Sequence, residues 1–321
     1  MEFAPAIYEH AARLIDHTPW EVSRSGEFLF SAHRRAWQTY GHRPVVVGID
    51  IYNLEAEALG AVVGRPEGNA IPAISHHPCN SLDDLLKLPR LNPDDGRLPM
   101  VLEAATRLKH DCPEADVRLP VSGPFSIASN LLGFEPLLFA MIDHPAEVTR
   151  ALLRLNDGQE AFVKAAHRAG LGVAFFDSGA TPPLVAPAQF HDVVLPALAD
   201  MIERASSTLG RPVPCIIGGN TLPILPDILS TGTGYVICPS ETDQAAFMHS
   251  MTDHPEVMVR INTDPGIVAR GDMQTVTEEV QRVMALAGTR PNVCIGTGAL
   301  PYETDPQTVA RIAEIIRQAT T

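Results

Sequence analysis

The sequence predicts an α/β chain folded as a (β/α)8 TIM barrel, on three observations. Short apolar, β-rich runs alternate with amphipathic helical segments along the chain, the pattern of a parallel sheet. Polar residues and glycine turns recur where these runs stop, and in a barrel all such strand ends face one mouth. The length, 321 residues, is long for an ordinary domain and normal for one barrel. An open doubly wound sheet is the weaker alternative, because no GxGxxG follows the first strand with an acidic partner beyond it.

Residues 1–41 read as a helical extension of two helices, about 4–17 and 20–40, carrying Ile7, Ala11, Leu14, Ile15, then Phe28, Leu29, Ala32 and Ala36. A single barrel domain then spans 42–321. Its first strand is VVVGIDIY after Arg43-Pro44, with Asp50 at its end. LEAEALG follows as a helix bearing Glu55 and Glu57 and stopping at Gly60. Residues 61–80 are extended, 83–88 form a short amphipathic helix, 89–97 a proline-rich charged loop, and 98–111 a further helix. RLPVS (118–122) is the second strand, turned by Gly123-Pro124-Phe125-Ser126 into the helix IASNLLGF. A long amphipathic helix covers 145–169. GVAFF (172–176) is the third strand, ending in Asp177-Ser178-Gly179, and 187–208 is helical.

The stretch 212–239 is a complete βαβ unit. A strand over 213–217 meets the turn Gly218-Gly219-Asn220, where absent side chains let backbone approach a ligand. Thr221 is placed to N-cap the next helix, with Pro223 and Pro226 in its first turns. Gly232 and Gly234 end it before the strand 235–238. Strand six (257–261) ends in Asn262-Thr263-Asp264, strand seven (292–296) in Thr297-Gly298, and a helix over 308–319 closes the chain. The eighth strand has no evident run.

The composition is 45% apolar and 19% charged, enough for a large core, and the formal charge is −14. Such a chain, with no basic patch beyond His33-Arg34-Arg35 and the surroundings of Arg211, is poorly suited to nucleic acid or anionic membrane. No apolar run approaches the roughly 20 residues of a membrane span. MEFAPAIYEH lacks the basic and apolar regions of a signal peptide. Five scattered cysteines without a CxxC fit free thiols in a reducing cytoplasm.

Candidate site residues come from the strand ends: Asp50, Ser122, Asp177, Asn220, Asn262 with Asp264, and Thr297, with Gly218 and Gly219 in the turn. Asp50 and Asp177 follow fully apolar strands, where an unpaired carboxylate is costly, so they are candidates for acid–base catalysis or ligation. A second constellation is Asp50, Glu55, Glu57, His76 and His77. Carboxylate and imidazole together suit a divalent metal such as zinc, with Glu57 and His77, or Glu55 and His76, as the pair. Cys215, Cys238 and Cys294 lie in predicted strands, have no metal spacing, and read as small core residues.

Four stretches carry a family resemblance: Asp50-Ile51 through Glu55-Ala56-Glu57-Ala58-Leu59-Gly60; Gly123-Pro124-Phe125; Asp177-Ser178-Gly179 with Val194-Leu195-Pro196; and Gly219-Asn220-Thr221-Leu222-Pro223-Ile224-Leu225. With Gly296-Thr297-Gly298 before Pro301, they cover most of the chain. The sequence resembles the uroporphyrinogen decarboxylase superfamily, nearer its cobalamin-dependent (corrinoid) methyltransferase branch. The resemblance implies a (β/α)8 barrel of the uroporphyrinogen decarboxylase type, and places Phe125 among substrate-contacting residues. The zinc methyltransferases of that branch carry His-x-Cys before the Gly-Asn turn and a third cysteine near the last strand. Here those positions hold Ile216, Gly218 and Ala299, so that zinc site is missing. The decarboxylases' N-terminal arginine segment is also missing from residues 1–41, although Asp50 is placed like their catalytic aspartate.

The resemblance thus implies a methyltransferase acting between a small methoxylated or methylated substrate and a corrinoid, free or on a partner protein. Some demethylating members of the branch bind zinc through Glu and His in the first third, which keeps Glu55, Glu57, His76 and His77 in view. A decarboxylase or other lyase using Asp50 is one alternative. A non-catalytic barrel that docks on a corrinoid protein or binds a ligand is another. A homodimer is compatible with the class.

Overall fold

Eight parallel strands close the barrel among the described residues, one more than the sequence pattern gives. In the computed structural model, which describes residues 1–319, they are β1 (Glu2–Ala6), β2 (Val45–Val46), β3 (Val117–Ser122), β4 (Gly172–Phe176), β5 (Cys215–Ile216), β6 (Tyr235–Cys238), β7 (Met258–Thr263) and β8 (Val293–Ala299). β2 to β5 pair in order, as do β6, β7, β8 and β1. A parallel bridge from Pro214 to Tyr235 joins β5 to β6. On the opposite side the Arg43 N–H donates to the Phe3 carbonyl at 3.0 Å and ties β1 to the approach of β2.

The eighth strand is β1, so the expected helix over 4–17 is corrected. Its sequence, EFAPA, has no visible signal: alanine favours helix, proline opens helices, and a strand buried on both faces shows no polar alternation. Pro5 is tolerated because the register against β8 shifts between Ala4 and Ala6, which is where a residue without an N–H can sit. Residues 1–41 are therefore not wholly a helical extension. They open with a barrel strand, and the helices Glu9–Arg13, Pro19–Ser23 and Gly26–Tyr40 form the crossover to β2.

Side chains alternate along the strands and divide into two cores. Val173 and Phe175, like Val259 and Ile261, face the large core between barrel and helices. Phe125, Phe162, Phe175, Phe190 and Phe247 are fully buried there, each contributing roughly 1.5–3 kcal/mol relative to exposure. Ala4, Ala6, Ile51, Ala174, Phe176, Ile216, Tyr235, Ile237 and Cys294 form a smaller core inside the barrel. All five cysteines are free and buried. No single helix among the described residues is long and apolar enough to cross a membrane.

Outside the barrel an antiparallel hairpin, Val62–Gly64 with Ala73–His76, fills the segment read as extended. The helix after β4 is interrupted: a wide π turn at Phe190–Val194 precedes the helix Leu195–Leu209, beside Pro196, which has no N–H to give to a regular ladder. Thr221 does not cap by its side chain. Its hydroxyl is buried without a partner, and the Leu222 N–H donates instead to Thr242 Oγ1 at 3.1 Å.

Candidate active site

Asp50 lies at the carboxyl end of the β2 segment and is held by an arginine. Arg97 donates to both of its oxygens, at 2.8 and 2.7 Å, and Asn53 Nδ2 adds a third bond at 3.1 Å. Arg97 also binds Glu57 through Nε, and Arg24 takes the other Glu57 oxygen. Two carboxylates and two guanidiniums thus form one neutral network. Every oxygen of Asp50 and Glu57 thus accepts from at least one guanidinium.

Glu55 is fully buried and binds the end of β3: it accepts from the Ser122 N–H and the Ser122 hydroxyl, each at 2.8 Å. Burial pushes its carboxyl up to about 7, against the opposing effect of the Ser122 bonds. Ser122 is thereby engaged as a structural residue. His77 Nδ1 is bonded to the Asn130 carbonyl at 2.8 Å, and His76 is exposed on the hairpin. Glu57 and Glu55 are engaged by Arg97, Arg24 and Ser122, and among the described residues no three His, Cys, Asp or Glu side chains are grouped to hold a metal ion.

Asp177 follows β4 and acts as a cap for a helix it does not belong to. One oxygen accepts from the Ser126 N–H and hydroxyl, both at 2.7 Å, at the start of the helix Pro124–Leu132. The second oxygen is buried without a hydrogen-bond partner. Burial raises the carboxyl to about 6, with the Ser126 bonds opposing. Gly123 makes this approach feasible, because a Cβ there would lie 2.2 Å from the Asp177 carboxyl carbon. Phe125 is fully buried and meets Phe134 edge-on at 6.1 Å. It packs in the large core between barrel and helices. Thr297 is likewise spent within the barrel wall, accepting from the Ala6 N–H at 3.2 Å.

The predicted turn does reach the mouth. Ser178 Oγ accepts from the Gly218 N–H at 2.9 Å and from the Tyr52 hydroxyl at 2.8 Å. Thr181 donates to the Gly218 carbonyl at 2.8 Å and lies under Gly219, which has φ +82°. Asn220 is exposed, its Oδ1 accepting from Thr242 at 3.0 Å. With both Ser178 lone pairs filled, its hydroxyl hydrogen is the remaining donor. Tyr52 is pushed up to about 12 by its withdrawal from solvent, so it stays a neutral donor. Its ring and that of Tyr8 meet Phe176 edge-on, at 6.2 and 6.1 Å. Asn262 is buried and accepts from Arg260 Nε at 3.0 Å.

The arrangement therefore concentrates donors, not free carboxylates, at the mouth: the neutral Tyr52, Ser178 and 218–220 turn, and the cationic Arg260 with Asn262. Tyr52, Ser178, Arg97 and Arg260 were not among the site residues read from the sequence. Arg260 has a signal there, as the one charge inside the apolar run VMVRI. The zinc set implied by the resemblance does not fit either: Ile216 is a buried lumen residue, and neither Gly218 nor Ala299 offers a donor atom.

Comparison with known proteins agrees with this barrel. The chain is 26% identical over 249 residues to methylcobamide:CoM methyltransferase MtbA of Methanosarcina acetivorans, covering 76% of this chain and 71% of that protein. A methyltransferase structure from Methanosarcina mazei superposes with a TM-score of 0.85 at 17% identity, covering 99% of this chain and 93% of the other. The putative vitamin-B12 independent methionine synthase of Listeria monocytogenes superposes at 0.56 with 9% identity, covering 99% and 95%. These structures share the fold. Residues 4–319 match the family model of uroporphyrinogen decarboxylase (URO-D), and the chain belongs to that family.

Proposed function

We propose that this protein is a methyltransferase moving a methyl group between a small methoxylated or methylated substrate and a corrinoid carrier. The relative that names this chemistry, the methylcobamide:CoM methyltransferase, aligns over most of both chains. The observation that carries the reading here is the Tyr52–Ser178–Gly218 chain of hydrogen bonds at the barrel mouth. When a methyl group leaves a substrate heteroatom, the bonding electron pair stays on that heteroatom and charge develops there. A hydroxyl hydrogen held in place by two donors behind it is suited to meet that charge. The corrinoid, free or on a partner protein, would supply the nucleophile for the methyl carbon. A thiolate-activating zinc is not part of the proposal, since Ile216, Gly218 and Ala299 cannot hold one.

Asp50 is a poor candidate for the decarboxylase alternative, because Arg97 takes both of its oxygens. The test is the absorbance change of cob(I)alamin on addition of protein and a panel of methyl ethers, thioethers and amines. Formation of methylcobalamin with one of them, lost in Ser178→Ala, is the expected result. No change across the panel would overturn the reading in favour of a non-catalytic barrel.

A further inference from the structure

Arg260 is a guanidinium inside the barrel without an acid to pair with. It lies on β7 between the outward-facing Val259 and Ile261, and it is 7% exposed. Nε donates to Asn262 Oδ1 at 3.0 Å, which fixes the guanidinium plane. Its terminal nitrogens make no hydrogen bond or ion pair with any described residue. The contrast is Arg118, on β3, which is paired with Asp116 at 2.6 Å. The wall is cleared for Arg260: a Cβ on Gly296 would lie 2.5 Å from its Cδ. Ala4 and Ala6 keep the neighbouring strand small.

Among the described residues, no acid is hydrogen-bonded or ion-paired to this cation. Asp50 and Glu57 are held by Arg97 and Arg24, Glu55 by Ser122, and one Asp177 oxygen by Ser126, while its other oxygen bonds neither Arg260 nor any other described residue. The groups around Arg260 are the phenols of Tyr8, Tyr52 and Tyr235 and the thiol of Cys294, on each of which its charge acts. All are neutral, and phenols are donors. The terminal nitrogens retain contact with solvent, where a ligand can supply the counter-charge that the protein does not. With Nε engaged, the two terminal nitrogens present the two-pronged end that matches a planar carboxylate. A single guanidinium among neutral donors suits one negative charge, not the two of a phosphate.

We propose that Arg260 binds a carboxylate of the substrate inside the barrel, so that the methyl donor is a small methylated monocarboxylate. The inference rests on the methyltransferase reading for the word donor, but the site itself does not. Isothermal titration calorimetry without corrinoid tests it, using acetate, methoxyacetate and 4-methoxybenzoate against their neutral amides and against inorganic phosphate. At least one acid should bind ten-fold or more tighter than its amide and tighter than phosphate. Arg260→Gln should erase that preference and Arg260→Lys should keep part of it. Equal affinity for acid and amide throughout the panel, tighter binding of phosphate, or a preference that survives in Arg260→Gln would overturn the proposal. The acid-against-amide comparison uses the unaltered protein, so it decides even if Arg260→Gln does not fold. Acid preference without methyl transfer to cob(I)alamin would sink the methyltransferase reading and leave this site standing. Transfer from neutral ethers without acid preference would do the reverse.

Discussion

Arg97 grips Asp50 with both prongs of its guanidinium, at 2.8 and 2.7 Å, and turns its Nε to Glu57. Both partners of the bidentate pair are nearly excluded from solvent, with side chains 9% and 1% exposed. Removing one partner leaves the other charge buried, which typically costs about 3–5 kcal/mol. Asp50→Ala is therefore expected to lower unfolding stability by that order in urea titration, and Arg97→Ala comparably. A catalytic Asp50 would behave differently: activity would fall while the unfolding midpoint stayed near that of the unaltered protein.

This pair marks where the sequence was readable and where it was not. The strands β4 and β6 match their apolar runs residue for residue, because Val, Ile, Phe and Tyr in a row have few other homes than a buried sheet. β1 escaped because Ala and Pro carry no strand signal, and its pairing with β8 is decided only when the barrel closes. Asp50 and Asp177 stood out as buried carboxylates, and both are buried. Their partners did not stand out. Arg97 sits in a charged loop that reads as solvent-facing, and Ser126 lies 51 residues from Asp177. Which donor satisfies a buried acid is fixed by tertiary proximity, so a candidate general acid in one dimension becomes a helix cap in three.

Glu55 provides a pH test. Its folded value is raised to about 7 by burial, against about 4.3 for an unfolded glutamate. Between these values the folded state holds the proton and the unfolded state does not, so stability from this group is full below pH 4 and is lost as pH rises toward 7. Glu55→Gln stays neutral throughout. Its stability relative to the unaltered protein should therefore improve from pH 4 to pH 8, by on the order of 2–4 kcal/mol. Urea unfolding of both proteins at several pH values checks this, and parallel curves would show that Glu55 is ionised in the fold.

Tyr52→Phe removes the hydroxyl that donates to Ser178 at 2.8 Å but keeps the edge-on contact with Phe176. One hydrogen bond of this kind contributes about 1 kcal/mol to stability. The loss in methyl transfer should be larger, about 10–100-fold in kcat, because Ser178 then loses one of the donors that orients its hydrogen toward the mouth. Steady-state kinetics with the substrate found in the cob(I)alamin panel, alongside a thermal melt, separates the two effects. Equal fractional changes in stability and rate would assign Tyr52 to packing alone.

Gly219 and Thr181 should be energetically coupled. Gly219 has φ +82°, and a Cβ on it would stand 2.8 Å from Thr181 Cγ2. Gly219→Ala thus combines backbone strain of about 1–2 kcal/mol with overpacking of about 1–3 kcal/mol. Thr181→Ser removes the offending methyl and retains the hydroxyl, whose one hydrogen is within reach of the Ser178 and Gly218 carbonyls at 2.9 and 2.8 Å. The double variant should recover the overpacking share and keep the strain, giving a favourable coupling of about 1 kcal/mol or more in a double-mutant cycle. Additive losses would mean that the turn yields elsewhere and that Thr181 does not fix its position. Because the same turn carries the Gly218 N–H to Ser178, restored stability should be accompanied by restored methyl transfer.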